Sequence, residues 1–76
     1  MPERFSGELL RKERKRLGKT QRWLADKVFL SERYIRDLEH GVKRNPSAEL
    51  LYRFSHALNI HVDDLMIMQK GDDNHR

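Results

Sequence analysis

Only three residues, Phe29, Leu30 and Ser31, separate two segments of helical pattern, residues 21–28 and 32–40. So short a connection cannot fold the chain back into a long antiparallel hairpin; it favours two helices that cross sharply. Every fold open to this chain has to contain that corner.

The rest of the chain carries the same period. Apolar side chains recur at three and four residues rather than at two, which predicts helices throughout. Gly18, Gly41, Asn45-Pro46 and Gly71 punctuate them. Five helices fit between these marks. The first spans about Gly7 to Leu17, capped by Ser6 and stopped by Gly18. Thr20 caps the second, about Gln21 to Val28, and Ser31 caps the third, which ends at His40-Gly41. Val42 to Pro46 reads as a loop, Ser47 caps the fourth helix, Asn59 ends it, and a short fifth lies around Val62–Met66. The expected fold is all-α, a single domain over residues 7–68, with 1–5 and 71–76 as flexible termini. Its core would take Leu10, Leu17, Leu24, Ala25, Val28, Ile35, Leu38, Leu50, Phe54, Ala57, Leu58, Ile60, Val62 and Leu65.

Composition narrows the function. A chain of 76 residues without cysteine has no disulfide or thiolate metal site to staple it, so helix packing, helped by any dimerisation, must hold it. No apolar run approaches a membrane span and the first residues lack the apolar stretch of a signal peptide, which predicts a cytoplasmic protein. The charge of +4 is unevenly spread. Residues 1–19 hold seven basic and three acidic residues, 20–46 six and four, and 47–76 three and five, so the first two-thirds is net +6 and the last third −2. A basic half beside an acidic half suggests one surface that faces a polyanion; a solvated surface on a small protein is the plainer alternative.

The third helix sharpens that suggestion. At 100° per residue Tyr34, Ile35 and Leu38 fall together toward the core, while Arg33, Arg36, Asp37 and His40 fall opposite and Glu32 lies between. Arginine can donate a fork of two bonds to guanine, and Glu or Asp can accept from cytosine. The same face also reads as an ordinary solvated one, with Glu32–Arg36 and Arg33–Asp37 as ion pairs one turn apart.

Three segments decide between these readings. Thr20-Gln21-Arg22-Trp23-Leu24-Ala25 resembles the start of the helix-turn-helix in the phage-repressor-like (Xre/Cro-type) family. Ser31 to Gly41, followed by Arg44-Asn45-Pro46-Ser47, resembles that family's recognition helix, loop and fourth helix start. Ala57-Leu58-Asn59-Ile60 with Asp63-Asp64-Leu65 is similar to its last two helices. The resemblance implies a five-helix, lambda-repressor-like domain that binds duplex DNA and commonly pairs on near-symmetric sites. It gives roles to residues as well. Gln21 would meet a phosphate, which suits a helix N-terminus. Ser31, Glu32, Arg33, Arg36 and Asp37 would face DNA from the recognition helix, and His40, Lys43 and Arg44 would hold its backbone. Arg14 and Glu39 match an ion pair between the first and third helices. Leu65, Met66, Ile67 and Met68 offer apolar surface for a homodimer, unless they simply close the core.

Two positions depart from the family pattern. Phe29 stands where glycine is frequent, so it either takes positive φ at some cost or the turn differs. Trp23 replaces a polar residue, lies away from Leu24 and Val28 on the wheel, and is either a contact for DNA or a protein partner or the cover of a helix flank. His40, His56, His61 and His75 show no paired metal-ligand spacing, and no cofactor motif or nucleophile with a base is present, so no enzyme activity is expected. Tyr52 and His56 fall on the polar side of the fourth helix. Asp63-Asp64 begins a helix, where carboxylates are favoured without any catalytic role. The functional expectation is a DNA-binding transcriptional repressor or activator. The alternatives are an antitoxin, a controller of a restriction system, or a protein-interaction module that has lost DNA binding.

Overall fold

Four hydroxyl side chains start four helices. In the computed structural model, which describes residues 3–68, Ser6 accepts from the Leu9 N–H at 3.2 Å and Thr20 from Trp23 at 3.0 Å. Ser31 accepts from Tyr34 and Ser47 from Leu50, each at 3.1 Å. Each cap satisfies a backbone donor that the helix itself cannot, a contribution of about 1 kcal/mol. The helices so begun are α1 (Gly7–Arg16), α2 (Gln21–Val28), α3 (Glu32–Glu39) and α4 (Ala48–Leu58).

Their ends are set by residues that accept a left-handed backbone. Gly18 closes α1 at φ 70° and Gly41 follows α3 at φ 80°, where glycine has no Cβ to clash. Asn59 ends α4 at φ 57°. At the corner between α2 and α3 the residue is Phe29, held at φ 62° while the Leu30 N–H donates to the Ala25 carbonyl at 2.9 Å. A bulky residue there costs about 1–2 kcal/mol, and burial does not offset it, because Phe29 is 81% exposed. The turn therefore keeps its glycine-like geometry and carries the strain.

α2 lies centrally against α3 and α4, while α1 packs on α3 and on the segment after α4. The core consists of Phe5, Leu10, Leu24, Ala25, Val28, Ile35, Leu38, Leu50, Phe54, Leu58 and Leu65. Ala57 and Ile60 are half-buried and pack against it. Leu17 does not join: it caps the C-terminus of α1 and remains 37% exposed. Val62 is also only half-buried.

The fold departs from the expected five-helix, all-α architecture at its two ends. The segment after Asn59 is a single 3-10 helix, Val62–Leu65, not a fifth α-helix. Asp64 caps it by accepting from the His61 N–H at 3.0 Å. The chain then extends into a strand, β2 (Met66–Met68), antiparallel to β1 (Glu3–Phe5) with Phe5 opposite Met66. Residues 3–5, expected to be a flexible terminus, are thus paired, and Phe5 is buried with the core. The reason lies in the packing of Leu65. Leu65 must point inward to fill the base of α1 and α4, and its carbonyl takes the Ser6 N–H at 2.8 Å, which brings the two strands side by side. The expected tail 71–76 lies outside the described residues.

Candidate nucleic-acid interface

The N-terminal half of α3 faces outward. Arg33 and Arg36 are exposed, as are Ser31 and Glu32, while Asp37 is half-buried. Inward, Ile35 and Leu38 are fully buried and Tyr34 is half-buried. Of the two ion pairs expected along the helix, Arg33 and Asp37 stand 4.0 Å apart, with the Arg33 side chain 79% exposed. Glu32 does not pair with Arg36; it faces Arg22 of α2 at 3.7 Å, and both are well exposed. Arg36 has no carboxylate partner among the described residues. Exposed pairs of this kind contribute little, so the face is held open rather than locked by its own charges. The Ser31 oxygen is occupied as the cap of α3, which leaves its hydroxyl proton for an outside acceptor.

Behind this face the helix is gripped from α1. The Arg14 Nε donates to Glu39 Oε2 at 2.7 Å and its Nη2 to Oε1 at 2.9 Å, a forked pair with both side chains buried. Arg14 Nη1 also donates to the Lys19 carbonyl at 2.6 Å. Hydrogen bonding to Glu39 raises the Arg14 pKa above its ordinary value, assisted by the carboxylate's charge and opposed by burial. Because this pKa is raised, the stabilisation Arg14 gives is present at neutral pH and is lost as the pH rises into strong alkali. Gln21, the first residue of α2, donates from its amide to the same Glu39 oxygen at 3.0 Å. That bond fixes the side chain beside the helix N-terminus.

The loop after α3 is basic and exposed. Lys43 reaches over the Tyr34 ring, its Nζ 5.7 Å from the centroid, and Arg44 donates to the Gly41 carbonyl at 3.2 Å. His40 caps the C-terminus of α3. A cleft of about 840 Å³ runs from this loop to β1 and the first turn of α1, and Arg4, Arg11, His40, Lys43 and Arg44 line it. Among these cations the described carboxylates are Glu8, exposed, and Glu39, already bound by Arg14.

Two crossed helices with an exposed arginine face, a phosphate-compatible N-terminus and a basic loop on the same side invite comparison with known proteins. A helix-turn-helix family model, of the Xre-like type, matches residues 10–65. The chain belongs to that family. As a helix-turn-helix protein it is 38% identical over 63 residues to an uncharacterized HTH-type transcriptional regulator of Methanothermobacter thermautotrophicus, covering 82% of this chain and 90% of the relative. Among solved structures, the restriction-modification controller protein C.AhdI of Aeromonas hydrophila superposes with a TM-score of 0.73 at 30% identity, over 78% of this chain and 88% of that one. SinR, a master regulator for biofilm formation solved in complex with DNA, gives a TM-score of 0.73 at 29% identity, over 78% and 97%.

Within this helix-turn-helix two participants escape the reading of the sequence. Arg22 bridges from α2 to Glu32, a partner that lies across the corner and not one turn away. Tyr34 falls with the core on the helical wheel, yet its ring carries Lys43 and so ties the recognition helix to the loop; a half-polar side chain beside a basic loop is the available signal. Of the four apolar residues expected to form a dimer surface, Leu65 is fully buried and must be removed from it. Met66 is half-buried, and Ile67 and Met68 are 37% and 52% exposed. Trp23 is half-buried against the core. Among the described residues no cluster of His, Cys, Asp and Glu is arranged to hold a metal, and no helix is long and apolar enough to cross a membrane. His75 lies outside them.

Proposed function

We propose that the protein is a sequence-specific regulator of transcription that acts in the cytoplasm by binding duplex DNA, not by catalysis. α3 enters the major groove, where Arg33 and Arg36 read guanine and Glu32 and Asp37 accept from cytosine or repel phosphate in wrong sequences. Gln21, Ser31, His40, Lys43 and Arg44 hold the backbone. The observation that carries this reading is the pair of exposed arginines on α3, Arg36 without any carboxylate partner among the described residues and Arg33 only weakly held. The likeness to SinR in complex with DNA supports it. Two copies bind a near-palindromic site, joined through Ile67 and Met68, the apolar side chains that β2 leaves exposed. The likeness to C.AhdI favours one narrower reading, a controller of a restriction-modification system. A methylase gene beside this one would support it.

Selection of bound sequences from random duplex DNA tests the main reading. It is expected to return two half-sites about one helical turn (~34 Å) apart, each with at least one guanine. Arg33→Ala or Arg36→Ala should relax the preference at that guanine by about 1–3 kcal/mol while helix content stays unchanged. Full discrimination retained by both variants would remove base reading from α3. The loop is tested separately by salt titration. Changing Lys43 and Arg44 to alanine should weaken binding to all sequences alike and flatten the salt slope by roughly one unit for each phosphate no longer neutralised. An unchanged slope would take the loop out of the interface.

A further inference from the structure

The flank of α2 that turns away from the recognition helix carries an aromatic groove rimmed by cations. Trp23 and Lys27 lie on this flank, whereas Arg22 lies on the other and reaches Glu32. Across from Trp23, Tyr52 and His56 of α4 meet edge to face at 4.6 Å and complete a groove of about 470 Å³. Of its aromatic rings Tyr52 is 62% exposed and Trp23 half-buried, and Phe29, outside the groove at the end of α2, is 81% exposed. Isolated exposed aromatics need no explanation, but aromatic side chains gathered at one groove are of the type enriched in protein interfaces.

Three cations stand around the groove, and two of them are lysines. Lys19 and Lys27 hold their ammonium groups 5.1 and 5.6 Å from the centre of the Trp23 ring, one on either side along the helix. Neither forms an ion pair among the described residues. Arg53 is 5.9 Å from the Phe29 ring and donates to the Val28 carbonyl at 3.3 Å, with its charge partly answered by Glu49 at 2.7 Å. Glu49 and Asp26 are the nearby carboxylates, and both are exposed. A carboxylate approaching the Trp23 ring therefore meets two exposed ammonium groups that no carboxylate among the described residues already holds.

We propose that this groove docks an acidic segment of a partner protein, with apolar side chains seated on Trp23 and Tyr52 and carboxylates on Lys19 and Lys27. Charge complementarity selects the occupant, since an aromatic floor wants apolar side chains and an unpaired lysine rim wants anions. Trp23, Lys27 and Tyr52 lie on the side of α2 that meets α4, so the segment keeps these contacts when DNA occupies α3, and Lys19, two residues before Gln21, is its one contact near the DNA face. The inference stands independently of the DNA-binding assignment.

Trp23 is the only tryptophan in the chain, so its emission reports directly from the groove. The probe is a labelled amphipathic peptide with Leu and Phe on one face and Glu on the other, titrated into the whole protein and followed by anisotropy and Trp23 fluorescence. Saturable binding with a shift in Trp23 emission is expected, weakened roughly tenfold or more by Lys19→Glu with Lys27→Glu. These are exposed positions where folding is not at risk. Trp23→Phe, which keeps an aromatic floor, should bind while losing the optical signal. A saturating concentration of duplex DNA should leave the peptide bound. The proposal is overturned if a control peptide with every Glu changed to Gln binds equally well, or if the charge-reversed protein binds as tightly as the native one. Displacement of the peptide by DNA would reassign the lysines to the nucleic-acid face. Loss of self-association in the charge-reversed protein, seen by light scattering, would reassign the groove to a second copy of the chain.

Discussion

Replacing Glu39 with alanine is expected to destabilise the domain by about 3–5 kcal/mol, because it leaves the buried Arg14 guanidinium with only the Lys19 carbonyl. A chain of 76 residues has roughly 4–11 kcal/mol of stability in total, at about 0.05–0.15 kcal/mol per residue. A large share of it is at stake in this one contact. Arg14→Ala should cost a comparable amount, since Glu39 would keep only the Gln21 amide. The informative variant is the double replacement Arg14→Met with Glu39→Leu. Removing both charges abolishes the desolvation penalty as well as the attraction, so the double variant should be more stable than either single truncation. Urea denaturation measures all three. A double variant less stable than both single truncations would mean that the pair is not coupled as its geometry indicates. The double variant should also read DNA less sharply, because Gln21 would lose the oxygen that holds it and α3 would lose its anchor to α1.

Gly7→Ala is the second change with a large expected effect, and its sign is the test. At an ordinary exposed helix start, alanine for glycine stabilises by about 0.4–1 kcal/mol through the unfolded chain. Here a Cβ would fall on the Leu38 carbonyl oxygen, with the Leu38 carbonyl carbon 2.9 Å and the Glu39 Cα 3.1 Å away. All three are backbone atoms, so no side chain can swing aside. The start of α1 would have to lift from the end of α3, at about 2–3 kcal/mol for forced overpacking. Thermal unfolding should show a lower midpoint for Gly7→Ala. An unchanged or raised midpoint would mean that α1 and α3 are not in such close approach. Gly7 and Arg14 lie two turns apart on α1 and both bear on the end of α3, so two contacts, one steric and one ionic, set the tilt of the recognition helix.

What could be read from the sequence was what is encoded locally. Ser6, Thr20, Ser31 and Ser47 announce helix starts because a cap acts within three residues of itself, and Asn59 announces a stop for the same reason. The short corner at Phe29 could also be read, although its backbone angle needed the structure. The strands were hidden because three residues are too few to show alternation, and their partners lie more than sixty positions apart. Leu17 misled by periodicity: it continues the apolar stripe of α1 one residue past the point where the helix ends. In the candidate interface, side-chain types on α3 followed from the helical wheel. Partner choice did not. Glu32 found Arg22 across the corner instead of Arg36 along its own helix, a contact that depends on the crossing angle of α2 and α3. The 25-residue separation of Arg14 and Glu39 carries no local signal, and only the family resemblance brought the two together.

The pairing of β1 with β2 has a consequence for the order in which the molecule assembles. Joining Phe5 to Met66 closes a loop of nearly the whole domain, and the entropy lost in such a closure must be offset by contacts elsewhere in the chain. Two strands of three residues cannot meet it alone. They can join only after the α2, α3 and α4 packing has already brought the chain ends close, so the clasp forms late in folding and opens early in unfolding. It is a seal on a finished core, and its integrity reports that the helices beneath it are in place.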